Sequence, residues 1–294
     1  MKILNEEKNI SRDLVKGIFL LLIGASMLGG SGIFVKLSDS SPSLIAFYRS
    51  LFALPFLYAW MKFEERNDSS KIIWDKRTFF FLVLGGLCFA LDMSIWNWSL
   101  TFTSVANATL MANIAPVFVV IFGVLFLGYK IEIFFVVTLL LALIGVFLVI
   151  LPGEQIMVFG DSLGILAAVF YAGYILSIKD LTTILQPART LFLVTIITTL
   201  CLLPISLIEA DSLILSKSEF FILISYAIFS QTLAQGLITS GISKVSAHLS
   251  SLVLLMQPVT AAFYGWFFLQ ELLSPLQMAG GLIVLAAIYL ASRE

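Results

Sequence analysis

Apolar runs separated by short polar breaks recur along the whole chain. Stretches of about 20 mostly apolar residues, long enough to cross a hydrocarbon core as a helix, fall at 14–36, 44–62, 78–98, 105–127, 131–151, 161–179, 188–208, 219–239, 247–268 and 275–292. Runs such as VFVVIFGVLFLG, starting at Val117, do not alternate apolar with polar positions, which excludes the strands of a membrane barrel. The pattern predicts an all-α integral membrane protein of ten transmembrane helices. Connections of roughly nine residues leave no room for an extramembrane domain, so the chemistry is expected within the bilayer.

Composition agrees: 60% of the 294 residues are hydrophobic and 12% charged, against roughly a quarter charged in a soluble domain. Charge adds an orientation. With the N-terminus inside, fourteen Lys and Arg fall on cytoplasmic segments, two (Lys36 and Lys217) fall outside, and Arg49 lies within a span. The positive-inside rule then places both termini of a multi-pass inner-membrane protein in the cytoplasm. The basic loop from Arg66 to Arg77 also carries Asp68 and Asp75, and reads as orientation signal rather than as a nucleic-acid site. The first apolar run continues past Gly29 to Val35 without a clear cleavage site, so it reads as a retained helix and not as a cleaved signal. Cys88 and Cys201 both fall in spans and read as small core hydrophobes.

The chain repeats itself. SVANATLMANIAPVFVVIFGVLFL from Ser104 lies on SAHLSSLVLLMQPVTAAFYGWFFL from Ser246 without a gap, with Pro116 matching Pro258 and Phe126-Leu127 matching Phe268-Leu269. Gly17 and Gly160 open the first and sixth spans, Lys36 and Lys179 end them, and Ser41-Pro42 and Gln186-Pro187 introduce the second and seventh. Two five-helix halves follow, 1–152 and 153–294. Because five is odd, the second half is expected upside down relative to the first, the inverted repeat of alternating-access carriers.

These halves, the Arg of AFYRS in the second helix, and the small-residue approach to Pro-Val followed by FFLQE resemble the EamA family of the drug/metabolite transporter superfamily over essentially the whole chain. The resemblance implies a ten-helix secondary transporter moving amino acids, other small metabolites or drugs, commonly outward. One departure is visible: Gln270-Glu271 follow the ninth helix, where the first half has Gly128-Tyr129.

The candidate chemistry centres on Asp92. A charge at the centre of a membrane helix costs about 2.5–3.5 kcal/mol on insertion scales, so it is expected to be paired, interior or functional. At 1.5 Å per residue, Arg49 and Asp92 lie about 7 and 9 Å below the outer boundary. They share a level, so Arg49 is either a structural ion-pair partner or a second ligand-binding charge. Trp96 and Ser99 follow Asp92 at helical spacing, placing acid, indole and hydroxyl on one face, and an indole beside a carboxylate suits an organic cation. Asn113, Tyr171, Tyr174, Gln231, Gln257 and Tyr264 are the further substrate-binding or proton-coupling candidates, each weighed against a plain interhelical hydrogen bond. Gln231 and Gln235 share a face, with Gln231 nearer the midplane. His248 reads as a solvated helix-end residue. The glycines at 29, 30 and 32 in the first helix read as packing positions or a hinge.

The residues speak against an enzyme, since a single membrane Asp and a single His on different helices form no catalytic couple. No charge ring or filter repeat suggests a channel. The expected function is a secondary transporter of small organic metabolites, with facilitative exchange of S-adenosyl or nucleotide-type metabolites or of organic cations as the alternative. No cofactor or metal is expected. The expected partners are a small-molecule substrate, a coupling proton and the lipid bilayer, with the protein working as a monomer.

Overall fold

The computed structural model describes residues 2–66, 74–103, 105–150, 157–209, 213–269 and 274–293, which are helical with no strand among them. In chain order the helices are α1 (Lys2–Leu28), α2 (Ser31–Leu37), α3 (Pro42–Glu65), α4 (Lys76–Phe102), α5 (Val105–Ala112), α6 (Ala115–Leu127), α7 (Ile133–Ile150), α8 (Val158–Leu181), α9 (Pro187–Glu209), α10 (Lys217–Tyr226), α11 (Gln235–Ile242), α12 (Ala247–Val253), α13 (Met256–Leu269) and α14 (Pro275–Ala291). A π-helical segment, Ala227–Ala234, joins α10 to α11. Nine stretches among the described residues are long and apolar enough to cross a membrane, and α14 is a shorter apolar helix of 17 residues. The Gln270-Glu271 departure lies outside the described residues.

Three of the expected spans are each two half-helices. The first divides at Gly29-Gly30, the fourth at Asn113-Ile114 and the ninth at Leu254-Leu255. All three junctions are single tightened turns with i→i−3 hydrogen bonds: Gly30 N–H to Met27 O (3.0 Å), Ile114 N–H to Met111 O (3.2 Å) and Leu255 N–H to Leu252 O (3.1 Å). Such 3₁₀ turns within a helix are a common site of hinging. Two have an evident cause. Pro116 and Pro258 carry no N–H for the carbonyls four residues back, and the carbonyl of Leu254 instead accepts from Gln257 N–H at 3.0 Å.

Helix starts are set by local chemistry. Asp75 accepts from Thr78 N–H at 2.7 Å to cap α4, and Ser274 with Gln277 forms a capping box at α14, with Pro275 at its first position. At the end of α6, Gly128 adopts φ 66°, the left-handed conformation that glycine takes without a Cβ clash.

α3 and α9 lie antiparallel and cap each other. Glu64 near the end of α3 accepts from Ala188 N–H at the start of α9 (2.9 Å), and Glu209 at the end of α9 accepts from Ser43 N–H at the start of α3 (2.9 Å). Each carboxylate thus meets the positive end of the facing helix. Glu209 also accepts from Trp98 Nε1 (3.0 Å), which ties in α4, while Glu65 pairs with Arg189 beside the other joint.

Close approach elsewhere depends on small residues, as expected where lipid removes the hydrophobic drive between helices. α7 and α14 touch at Gly145 and Gly280, where a Cβ on Gly145 would stand 2.8 Å from the carbonyl oxygen of Gly280. Gly85 of α4 lies against Ser177 of α8, and Gly173 of α8 against Cys88. Large apolar side chains such as Phe126, Ile133 and Ile208 point out of the bundle.

Candidate functional site

The three tightened turns converge on a cavity of about 140 Å³, room for roughly five waters at about 30 Å³ each. Gly29, Ser31 and Gly32 line it from the first turn, Thr109, Asn113 and Pro116 from the second, and Leu254, Leu255 and Gln257 from the third. Irregular backbone at membrane depth is tolerated where it borders such a space, and half-helix ends present backbone polar groups to it. α3, α4 and α8 complete the wall with Arg49, Asp92, Trp96 and Tyr171.

Arg49 is 7% exposed. Its Nη1 donates to the Tyr226 hydroxyl (3.1 Å), and its guanidinium carbon lies 5.0 Å from the Tyr226 ring centroid and 6.0 Å from that of Phe89. Its Nε is buried without a hydrogen-bond partner among the described residues. The expected ion pair does not form. Among the described residues no carboxylate lies within the 4.0 Å ion-pair distance of Arg49, and Asp92 has neither an ion-pair nor a hydrogen-bond partner. Equal depth on two helices does not make two side chains point at each other. Both charges instead border the cavity, and a buried charge without a protein counter-ion is costly unless something else meets it.

Trp96 lines the cavity, whereas Trp98 turns outward and is 37% exposed. Asn113 is held at the rim by its own helix, its Nδ2 donating to Thr109 O at 2.7 Å. Tyr171 borders the cavity and stacks on Tyr174 (5.8 Å, 17°), which in turn stacks on Phe89 (4.2 Å, 15°). Tyr174 is fully buried behind this wall, and the hydroxyls of both tyrosines have no hydrogen-bond partner among the described residues. Tyr264 lies off the cavity wall, with Gly30 beside its ring.

Two sequence placements change. Gln231 is fully buried and bonded to Thr195 Oγ1 of α9 at 3.2 Å, away from the cavity wall, which Gln235 lines instead. The π-helical segment contains no Gly or Pro, so no residue-level signal marks its altered register. His248 is not a solvated helix end: its ring packs edge-on against Phe135 at 4.8 Å, and its Nε2 lies 3.1 Å from Ser246 Oγ. Among the described residues no cluster of three His, Cys, Asp or Glu is placed to hold a metal ion.

The model of the EamA-like transporter family matches residues 15–151 and again 158–293. Pseudopaline exporter CntI of Pseudomonas aeruginosa, in two strains, is 25% identical over 289 residues, 96% of this chain and 98% of the relative. An uncharacterized transporter of Archaeoglobus fulgidus is 24% identical over 278 residues, 93% of this chain and 95% of the relative. One solved crystal structure shares the fold with a TM-score of 0.75 at 15% identity, covering 96% of both chains. With both stretches matched, this multi-pass helical membrane protein belongs to the EamA-like transporter family.

Proposed function

We propose that the protein is a secondary transporter that exports small organic metabolites from the cytoplasm, working by alternating access between two inverted five-helix halves, 1–152 and 153–294. In this reading α14 is a tenth span, the protein sits in the inner membrane and both termini are cytoplasmic. The double match of the family model supports two halves, as do the reciprocal caps between α3 and α9. The name of the Pseudomonas relatives supports the outward direction.

One observation carries the site: a buried guanidinium and a carboxylate border the same cavity, and among the described residues neither has an ion-pair partner within 4.0 Å. A substrate with a carboxylate for Arg49 and an ammonium group for Asp92 answers both charges at once. A coupling proton takes the place of the ammonium group at Asp92 when the substrate leaves. Trp96 supplies a flat apolar wall beside the acid, which favours, as a second reading, an organic cation held by Asp92 and the indole.

The test is thermal stability of the purified protein across amino acids, S-adenosyl and nucleotide metabolites and organic cations, in wild type and Asp92→Asn. A ligand at a hundred times its dissociation constant adds about 2.7 kcal/mol to stability. The expected outcome is a shift with zwitterions in wild type that is lost in a well-folded Asp92→Asn. A shift that survives the substitution, with transport and its pH dependence unchanged in liposomes, removes Asp92 from the mechanism.

A further inference from the structure

We infer that the π-helical turn of the eighth span assigns Gln235 to the cavity as a specificity-determining residue. With the Tyr171 hydroxyl, Gln235 forms a neutral hydrogen-bonding subsite that selects substrates carrying an uncharged donor–acceptor group, a hydroxyl or a carboxamide, beside their ionised groups. This rests on the reading of the cavity as the substrate site.

The argument begins with register. In an uninterrupted α-helix, residues four apart share a face, so Gln231 and Gln235 would point together. Between α10 and α11 the backbone closes i→i+5 turns over Ala227–Ala234, adding about one residue per turn. The hydroxyl of Thr232 follows the same register, donating to Ala227 O, five residues back, at 3.1 Å. The wider turns swing Gln235 from one side of Gln231 to the other, by most of one residue's rotation. Gln231 turns to α9 and donates to Thr195, while Gln235 turns to the cavity. The next residue fixes that choice from behind: Gly236 lies against the indole of Trp60, where a Cβ could not fit.

Gln235 is 1% exposed, yet its Oε1 meets no hydrogen-bond partner among the described residues, and the hydroxyl of Tyr171 on the same wall is likewise buried and unpartnered. Buried polar groups are ordinarily satisfied, and each exception calls for a reason. Here two uncharged exceptions border one cavity, beside the unpartnered Nε of Arg49. A carboxamide donates and accepts, and a phenol does the same, so the group they match is neutral and can do both. A site built to hydrogen-bond a substrate group rejects the analogue without it far more strongly than an apolar pocket rejects a missing methylene.

The probes are L-homoserine and its near-isostere L-norvaline, which exchange a hydroxyl for a methyl group. In detergent-solubilised wild type, homoserine is expected to bind at least tenfold more tightly than norvaline, and Gln235→Leu is expected to abolish or reverse that preference while norvaline binding persists. A preference unchanged in Gln235→Leu overturns the subsite. If neither probe binds, the zwitterion reading of the cavity falls and the selectivity claim falls with it. Register is tested without any ligand. In the wild-type background, with Cys88 and Cys201 as the measured baseline, Gln235→Cys is expected to react with (2-sulfonatoethyl) methanethiosulfonate at least tenfold faster than Gln231→Cys. Equal or inverted rates overturn the assignment by the π turn.

Discussion

Arg49 has no ion-pair partner among the described residues and instead lies against the rings of Tyr226 and Phe89 while donating to one hydroxyl. The planar guanidinium allows this, because it stacks on aromatic faces and still presents N–H groups at its edge. Lysine offers a compact, strongly hydrated ammonium that cannot lie flat on two rings with its donors directed along the edge. Arg49→Lys is therefore expected to leave a folded protein with at least tenfold weaker transport, read in liposomes beside its melting curve. Tyr226→Phe removes the hydrogen bond but keeps the ring, and is expected to cost about 1.5–3 kcal/mol of stability with a smaller loss of transport. The sequence placed Arg49 and Asp92 at one depth because rise per residue is fixed. It could not give their directions, since rotation about a helix axis is set by what packs against each face. His248 shows the same limit. Its position at a helix start was legible, whereas the aromatic ring of Phe135 that covers it comes from a distant helix.

Helices carry more of their design in the sequence than single side chains do. The apolar runs matched the observed elements because every backbone polar group in lipid must be satisfied internally, which leaves helix as the outcome. Two of the three tightened turns were marked by the repeated prolines and the third by paired glycines. The π-helical segment was silent, since Ala, Ile, Phe, Ser, Gln, Thr and Leu fit either register and packing decides between them. The joints between α3 and α9 invite a direct test. Loss of a helix N-cap costs about 0.5–2 kcal/mol, so Glu64→Ala and Glu209→Ala are each expected to destabilise by that amount. Ser43 and Glu64 are 21 positions apart on α3, so the joints are about 32 Å apart, and the double variant is expected to show the sum of the two effects within about 0.5 kcal/mol. Thermal or denaturant unfolding of the three variants checks this.

At the scale of the molecule, fourteen basic residues against two set the expected orientation. A cysteine at Ser38, in the loop that Glu219 binds, is expected to react with an impermeant maleimide from the outside of intact cells. A cysteine at Ser292 is expected to react only after the membrane is opened, and the opposite pattern would invert the topology. The reciprocal caps have a geometric consequence of their own. Pro42 to Glu64 and Pro187 to Glu209 both span 22 positions, so each helix serves as a ruler for the other. A turn inserted into one of them leaves a single joint in register, so neither helix can change length alone, and the thickness of membrane that the pair spans is set by both together.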